Sequence, residues 1–484
     1  MTSVPTTPTR RPWALLAVAL ATFMTYLDNN IVNVAIPAIQ RDLGLTTAGL
    51  EWVVSAYILV FAGLLLAGGR LADAFGRRRL FLLGLGIFTA ASVVAGLAGS
   101  VDVLVASRAV QGLGAALVTP TTLAIISHAY PDTKERTAAI GIWAGVGALA
   151  LAVGPLLGGL LSEHASWGWI FEINAPIGVA VMVLGAWAIT ESREAVRRPL
   201  DLPGIGVSVV ALTALTWALI EGASRGWTST SILVSFGVAA VAGIAFIAIE
   251  QHAKDPMVSL PLFRVRAFSG GIVALMLWAF GLFGIYFFTS IYLQQVLGFS
   301  PTEAGLAFLP MATVMVIGAI VSDRVARMIG AHRSVSGGLV LMGGAIASVA
   351  LLGADASYWD LMPSFVVMGI GGGLTTPLTA TVVGIMPATQ AGVASGLFNA
   401  SREIAGLLGI TVIGAILTAR ESAVGRGGAA PLDAFLSGYR LGLLVSAGLV
   451  IVGGAVAWFA LRGVPAPAAD AGGLLEATGE LAAA

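Results

Sequence analysis

Five side chains carry charge or strong polarity inside apolar sequence: Asp28, Arg108, Gln111, Arg402 and Glu403. Asp28 is the one charged residue between Arg11 and Arg41, in the run PWALLAVALATFMTYLDNNIVNVAIPAIQ. That run exceeds the ~20 apolar residues that carry a helix across a bilayer. A carboxylate inside such a helix costs ~2.5–3.5 kcal/mol on insertion scales. It persists there if protonated, paired with a cation or turned to water, and each state suits a proton- or cation-handling group. The alternative is a hydrogen-bonded contact between helices, with Asn29 and Asn30 as polar neighbours. Arg108 keeps its charge wherever it is buried and therefore requires a partner. At ~1.5 Å rise per residue, a first helix running outward and a fourth running inward bring Asp28 and Arg108 to similar depth. A direct or water-bridged pair is expected, the alternative being an arginine bonded to backbone carbonyls. Arg402 and Glu403 are adjacent near the middle of another apolar run. Helix neighbours diverge by ~100°, so different partners are expected for the two, with a structural inter-helix pair as the alternative. Glu172 and Glu221 sit nearer the ends of apolar runs. Each is read either as an acidic ligand contact or as an interfacial carboxylate.

The elements that position these groups must be membrane helices. Charged residues are 10% of the chain, against ~25% in soluble proteins, and mean hydropathy is +0.94. Fourteen apolar segments follow one another, from 13–36 and 50–69 to 391–418 and 439–461. Of the 25 Lys and Arg, 18 fall in alternate segments on one side and five on the other. By the positive-inside rule the first set is cytoplasmic, and an even span count puts both termini there. Zero net charge gives no reason to expect nucleic acid. With no cysteine, disulfide and thiol chemistry are excluded. The four histidines show no metal spacing, and neither Lys134 nor Lys254 follows a phosphate-binding glycine loop, so no cofactor is expected.

Two basic turns lie eight spans apart, Gly69–Arg79 and Ser322–Arg333, each with an acid near a helix end. Two six-span halves separated by two inserted spans explain that distance. The expected organisation is a cytoplasmic arm over 1–12, a six-helix bundle over 13–198, linker helices over 199–255, a second bundle over 256–464 and a disordered tail over 465–484. In the first turn, Gly69 and Gly76 permit a tight reversal, and Asp73 is placed to accept backbone N–H groups at a helix N-terminus. Arg77 and Arg78 suit anionic headgroups. Further along, Gly154, Pro155, Gly158 and Gly159 make a helix that kinks and packs closely, as a gate requires.

The turn G-x-L-x-D-x-x-G-R-R resembles the loop signature of the major facilitator superfamily. Leu27-Asp28-Asn29-Asn30-Ile31-Val32-Asn33-Val34-Ala35-Ile36-Pro37 resembles the first-span signature of that superfamily's fourteen-span drug:proton antiporters, departing at Asn30, where threonine is usual. Arg108-x-x-Gln111-Gly112-x-Gly114, Gly154-Pro155-x-x-Gly158-Gly159 and Trp167-Gly-Trp169-Ile-Phe-Glu172-Ile-Asn174 are similar to the family's span-four, span-five and span-six patterns. Glu172 departs from the span-six pattern, where an apolar residue is usual, and Glu403 from the family's span-thirteen pattern, where glutamine follows the arginine.

The resemblance implies the major facilitator fold in the plasma membrane. It implies export of hydrophobic, cationic drugs or antibiotics in exchange for protons, by a monomer with no enzymatic activity. In those terms Asp28 and Arg108 are the coupling pair, and Gln111, Asn33, Arg402, Glu403, Glu172 and Glu221 are further coupling or substrate positions. The Gly69–Arg78 turn is a conformational latch. An exporter of one metabolite or self-made antibiotic is the alternative. A non-transporting scaffold or a membrane enzyme is the alternative from other classes.

Overall fold

The computed structural model describes residues 10–193, 201–253, 256–384 and 388–464. The expected disordered tail and most of the N-terminal arm lie outside these. Fourteen helices are long and apolar enough to span a membrane, and no strand occurs among the described residues. They are α1 (Arg11–Leu43), α2 (Thr47–Phe75), α3 (Arg77–Gly96), α4 (Val101–Ala129), α5 (Lys134–His164), α6 (Trp169–Ala188), α7 (Leu202–Arg225) and α8 (Thr230–His252). The second half holds α9 (Arg266–Val296), α10 (Pro301–Ile329), α11 (Ala331–Ala350), α12 (Tyr358–Val382), α13 (Ala394–Arg426) and α14 (Pro431–Leu461).

The helices run well past the apolar segments because polar caps extend them. Thr46 accepts from the Gly49 N–H, Ser100 from Val103, and Asp132 from Lys134 and Glu135. Ser300 and Glu303 form a reciprocal capping box at the start of α10. Arg11, the start of α1, defines one face of the molecule, called here the N-terminal face. Leu43 defines the far face. Successive helices alternate direction through short turns, so α14 ends on the N-terminal face.

Helices α1 to α6 pack among themselves, chiefly α2 and α3 on α4 and α1 on α5 and α6. Helices α9 to α14 do the same, with α14 on α11, α9 and α13, and α12 on α10 and α11. The hairpin α7–α8 lies outside, with α7 against α2 and α13. Small residues set these distances. A Cβ on Gly112 would fall 2.4 Å from the Tyr57 carbonyl oxygen, and one on Gly84 2.8 Å from that of Gly114.

The two groups of helices close on each other at the far face. A Cβ on Gly159 of α5 would lie 2.3 Å from the Pro301 carbonyl oxygen of α10. Reciprocally, one on Gly305 would lie 2.3 Å from the Pro155 carbonyl oxygen. Gln294 donates to the Val34 carbonyl (2.8 Å), Gln295 to Gln40 (2.7 Å), and the Thr302 N–H to Glu163 (2.9 Å).

Candidate functional site

Asp28 lies in the middle of α1, fully buried, and its carboxylate is the hub of a sealed network. The Arg108 guanidinium of α4 donates to it directly. Gln111 Nε2 donates to the other carboxylate oxygen at 3.1 Å, and Asn174 Nδ2 of α6 at 3.0 Å. Gln111 also accepts from Arg108 (2.9 Å) and donates to Ser92 of α3 (2.7 Å). Arg108 Nε donates to the Val53 carbonyl of α2 at 3.2 Å. Its guanidinium carbon sits 4.4 Å from the Tyr57 ring centroid and 5.5 Å from that of Phe171. The expected Asp28–Arg108 pair is therefore direct, and five helices (α1, α2, α3, α4 and α6) contribute to its surroundings. Gln111 joins because residues three apart share a helix face.

A cavity of about 320 Å³ lies at mid-depth between the two groups of helices. Asn30 and Asn33 line it from α1, Ala148 and Leu151 from α5, and Asn399 and Arg402 from α13. Asp28 does not. Asn30 is two residues on, some 200° round the helix from Asp28, so α1 turns its asparagines to the cavity and its acid into the bundle. Asp28, read from the sequence as a proton- or cation-handling group, has no face on this cavity.

Arg402 and Glu403 correct a second expectation. They pair with each other, Arg402 Nη2 and Nε lying 2.7 and 3.1 Å from Glu403 Oε1. The long arginine stem bends back across the angle that separates the two Cβ directions. Glu403 is 3% exposed, and its Oε2 has no hydrogen-bond partner, whereas Arg402 is 27% exposed and lines the cavity. Tyr26 of α1 lies across from it, with its ring centroid 5.8 Å from the Arg402 guanidinium carbon.

In the turn between α2 and α3, Gly76 has φ +113°, a conformation reserved for glycine. Asp73 does not take backbone N–H groups, as expected, but pairs with Arg77 at 2.8 Å. That capping role belongs to Glu191, which follows α6. It accepts the N–H groups of Arg78 (3.1 Å), Arg79 (3.2 Å) and Ser192 (3.0 Å), and the Arg78 guanidinium reaches the Ala186 carbonyl. Gly69 lies 3.5 Å, measured from an added Cβ, from Pro120 of α4. In α5, Gly154 and Gly158 face Asn30 and the Ile31 carbonyl of α1, and Gly159 faces α10 across the far-face seam.

The remaining acids separate. Glu172 packs against Gly96 where α3 meets α6. Glu221 accepts from Trp52 Nε1 and Arg225 Nε, at 3.3 and 3.2 Å, and so ties α7 to α2. Sequence reasoning missed Glu51, which is 2% exposed in α2. Its Oε2 has no partner, and its Oε1 lies 2.1 Å from where a Cβ on Gly414 of α13 would stand. The signal was available: Glu51 is a carboxylate flanked by Leu50 and Trp52, one residue inside an apolar segment.

The model of the Major Facilitator Superfamily matches residues 18–410. The chain belongs to the major facilitator superfamily. It is 38% identical to the multidrug resistance protein Stp of Mycobacterium tuberculosis, over 84% of this chain and 76% of that one. It is 37% identical to the tetracenomycin C resistance and export protein of Streptomyces glaucescens, over 85% and 77%. With the multidrug efflux pump LfrA of Mycolicibacterium smegmatis it shares 34% identity over 85% and 82%. Among solved structures it resembles a bacterial homologue of the human lysosomal transporter Spinster (TM-score 0.66, 18% identity, 95% and 98% coverage). It also resembles the POT family transporter PepTSo (TM-score 0.68, 15% identity, 95% and 98% coverage). These likenesses agree in fold with the fourteen-helix membrane architecture. Membership of that superfamily, with relatives named for multidrug resistance and export, makes the chain a transporter of the drug-efflux kind.

Proposed function

We propose that this chain exports hydrophobic drugs or antibiotics across the plasma membrane in exchange for protons, by alternating access. Support comes from relatives named for multidrug resistance and antibiotic export, and from one geometric observation. The sealed Asp28 network and the cavity-lining Asn30 and Asn33 lie on the same stretch of α1. Proton exchange at Asp28 removes its charge-assisted bond to Arg108 and loosens α1 against α4. The effect reaches the ligand through two asparagines within five residues, so coupling needs no contact between ligand and carboxylate. The basic turns support a cytoplasmic N-terminal face, with the glycine seam as the extracellular gate. Two six-helix bundles with α7–α8 as an insertion, acting as a monomer, complete the reading.

Efflux measured across a compound panel with and without a proton uncoupler tests this. Uncoupler-sensitive efflux, together with drug-induced proton release from detergent-purified wild type that Asp28→Asn abolishes, is the expected result. Wild-type proton release from Asp28→Asn would place the carrier elsewhere. For orientation, cysteines introduced at Ala165 and Ser357 should react with an impermeant maleimide from outside, and one at Ala195 should not.

A further inference from the structure

The charge pattern of the cavity bears on what it carries. Of its lining side chains, Arg402 alone is charged among the described residues. The acids of the bundle are turned away: Asp28 is sealed behind α1, and Glu403 is 3% exposed. Glu403 makes the pair neutral overall, yet it takes only the Nε and Nη2 donors through one oxygen. A guanidinium carries five N–H donors; with two on Glu403 and one toward the Tyr26 hydroxyl, two remain for a ligand. A second donor is free as well. Trp278 Nε1 is buried and without a partner, and Trp278 lines the same cavity. A buried donor left unpaired is costly, and a ligand oxygen removes that cost. Around these donors stand aromatic and aliphatic walls, including Phe283 and Leu275.

We infer that the cavity prefers amphipathic organic anions, with the acidic group received by Arg402 and an acceptor oxygen facing Trp278, over organic cations of the same size. The inference rests on the exporter reading and reverses the cationic preference implied by family resemblance. A cation would meet the exposed end of a guanidinium with no acid on the cavity wall to answer it. An anion gains charge-assisted hydrogen bonds there. Glu403 is the competitor for Arg402 and therefore sets affinity from behind the wall.

Fluorescein and rhodamine 6G share a xanthene body and carry opposite charge. Their binding to the detergent-purified full-length protein is read by fluorescence polarisation, and their export by loaded cells in parallel. The expected result is tighter binding of fluorescein in the wild type. Arg402→Gln should weaken it about tenfold or more, as loss of a charged hydrogen bond implies, with rhodamine unchanged or tighter. Arg402→Lys should recover part of the loss. Glu403→Gln should tighten fluorescein, an opposite sign that a merely structural pair would not give. Melting curves establish that each variant is folded. Tighter rhodamine binding in the wild type, or equal loss of both dyes in folded Arg402→Gln, overturns the inference. Export of rhodamine with refusal of fluorescein overturns it while keeping the exporter reading, and a folded wild type that binds and moves neither overturns both.

Discussion

The molecule holds two intramembrane Arg–carboxylate pairs that differ in everything but composition. Asp28–Arg108 joins different helices and is completely buried, with neutral hydrogen-bond donors on the carboxylate's other oxygen. Arg402–Glu403 joins adjacent residues of one helix, opens its arginine to a cavity, and leaves a carboxylate oxygen bare. The first holds helices together and is closed to any ligand. The second lies within one helix, touches α1 only through Tyr26, and opens its arginine to the cavity. Burial and attachment to several helices thus separate a group that couples from a group that binds.

The largest test of that contrast removes one partner of the sealed pair. Breaking a buried pair costs about 3–5 kcal/mol because the remaining charge is stranded. Asp28→Asn and Arg108→Gln should each lower the melting temperature markedly and abolish proton-driven accumulation in vesicles. The double variant should regain most of the melting temperature and none of the transport. If transport returns with stability, the pair is structural and the contrast fails. Arg402→Gln also leaves a buried carboxylate, Glu403, but should lower the melting temperature less than Arg108→Gln, because Arg402 is 27% exposed and the new amide can still donate to Glu403. A drop as large as that of Arg108→Gln would mean the two pairs are alike.

The next test is smaller. Gly414→Ala drives a methyl into Glu51 where α2 meets α13, and overpacking of this kind costs about 1–3 kcal/mol. It should spread the far face, read as faster labelling of a cysteine placed at Gln40, and Glu51→Ala should reverse it. Unchanged labelling would mean this contact does not hold the seam.

The smallest effect belongs to the basic turn. The Asp73–Arg77 pair is part-exposed, so Asp73→Asn should cost at most about 1 kcal/mol of stability. A shift of that size still changes a two-state balance severalfold, enough to slow efflux at normal expression. Glu191→Ala removes three backbone acceptor contacts and should slow efflux at least as much. A larger effect of Asp73→Asn would return the capping role to Asp73.

The spans were legible because a membrane helix must be long and apolar, and the Asp28–Arg108 meeting because depth can be counted along two helices of known direction. Gln111 followed from its spacing. Asn174 and Ser92 did not, since they arrive from helices 146 and 64 positions away and no spacing along the chain ties either of them to Asp28. The Arg402–Glu403 pairing defeated an argument from Cβ directions because a guanidinium reaches farther than its Cβ suggests. Glu51 was overlooked because the apolar window opens at residue 50, whereas the capped helix starts at Thr47 and carries the acid inward. Glu191 follows the last helix of its bundle and gains its role only when that segment returns to the turn at Gly76, 115 positions earlier in the chain.

The far-face seam has a consequence for how the two sides of the molecule answer the medium around them. Its closest approaches are glycine against backbone carbonyl, supplemented by neutral amides and by one backbone N–H on Glu163. The turns of the N-terminal face are held by exposed ion pairs, Arg79 with Glu191 and Arg11 with Glu135. At 1 M salt the screening length falls to about 3 Å, which weakens pairs of that kind and hardly touches carbonyl–glycine packing. Ionic strength therefore acts unevenly, loosening the turns on the arginine side while the glycine seam opposite stays shut.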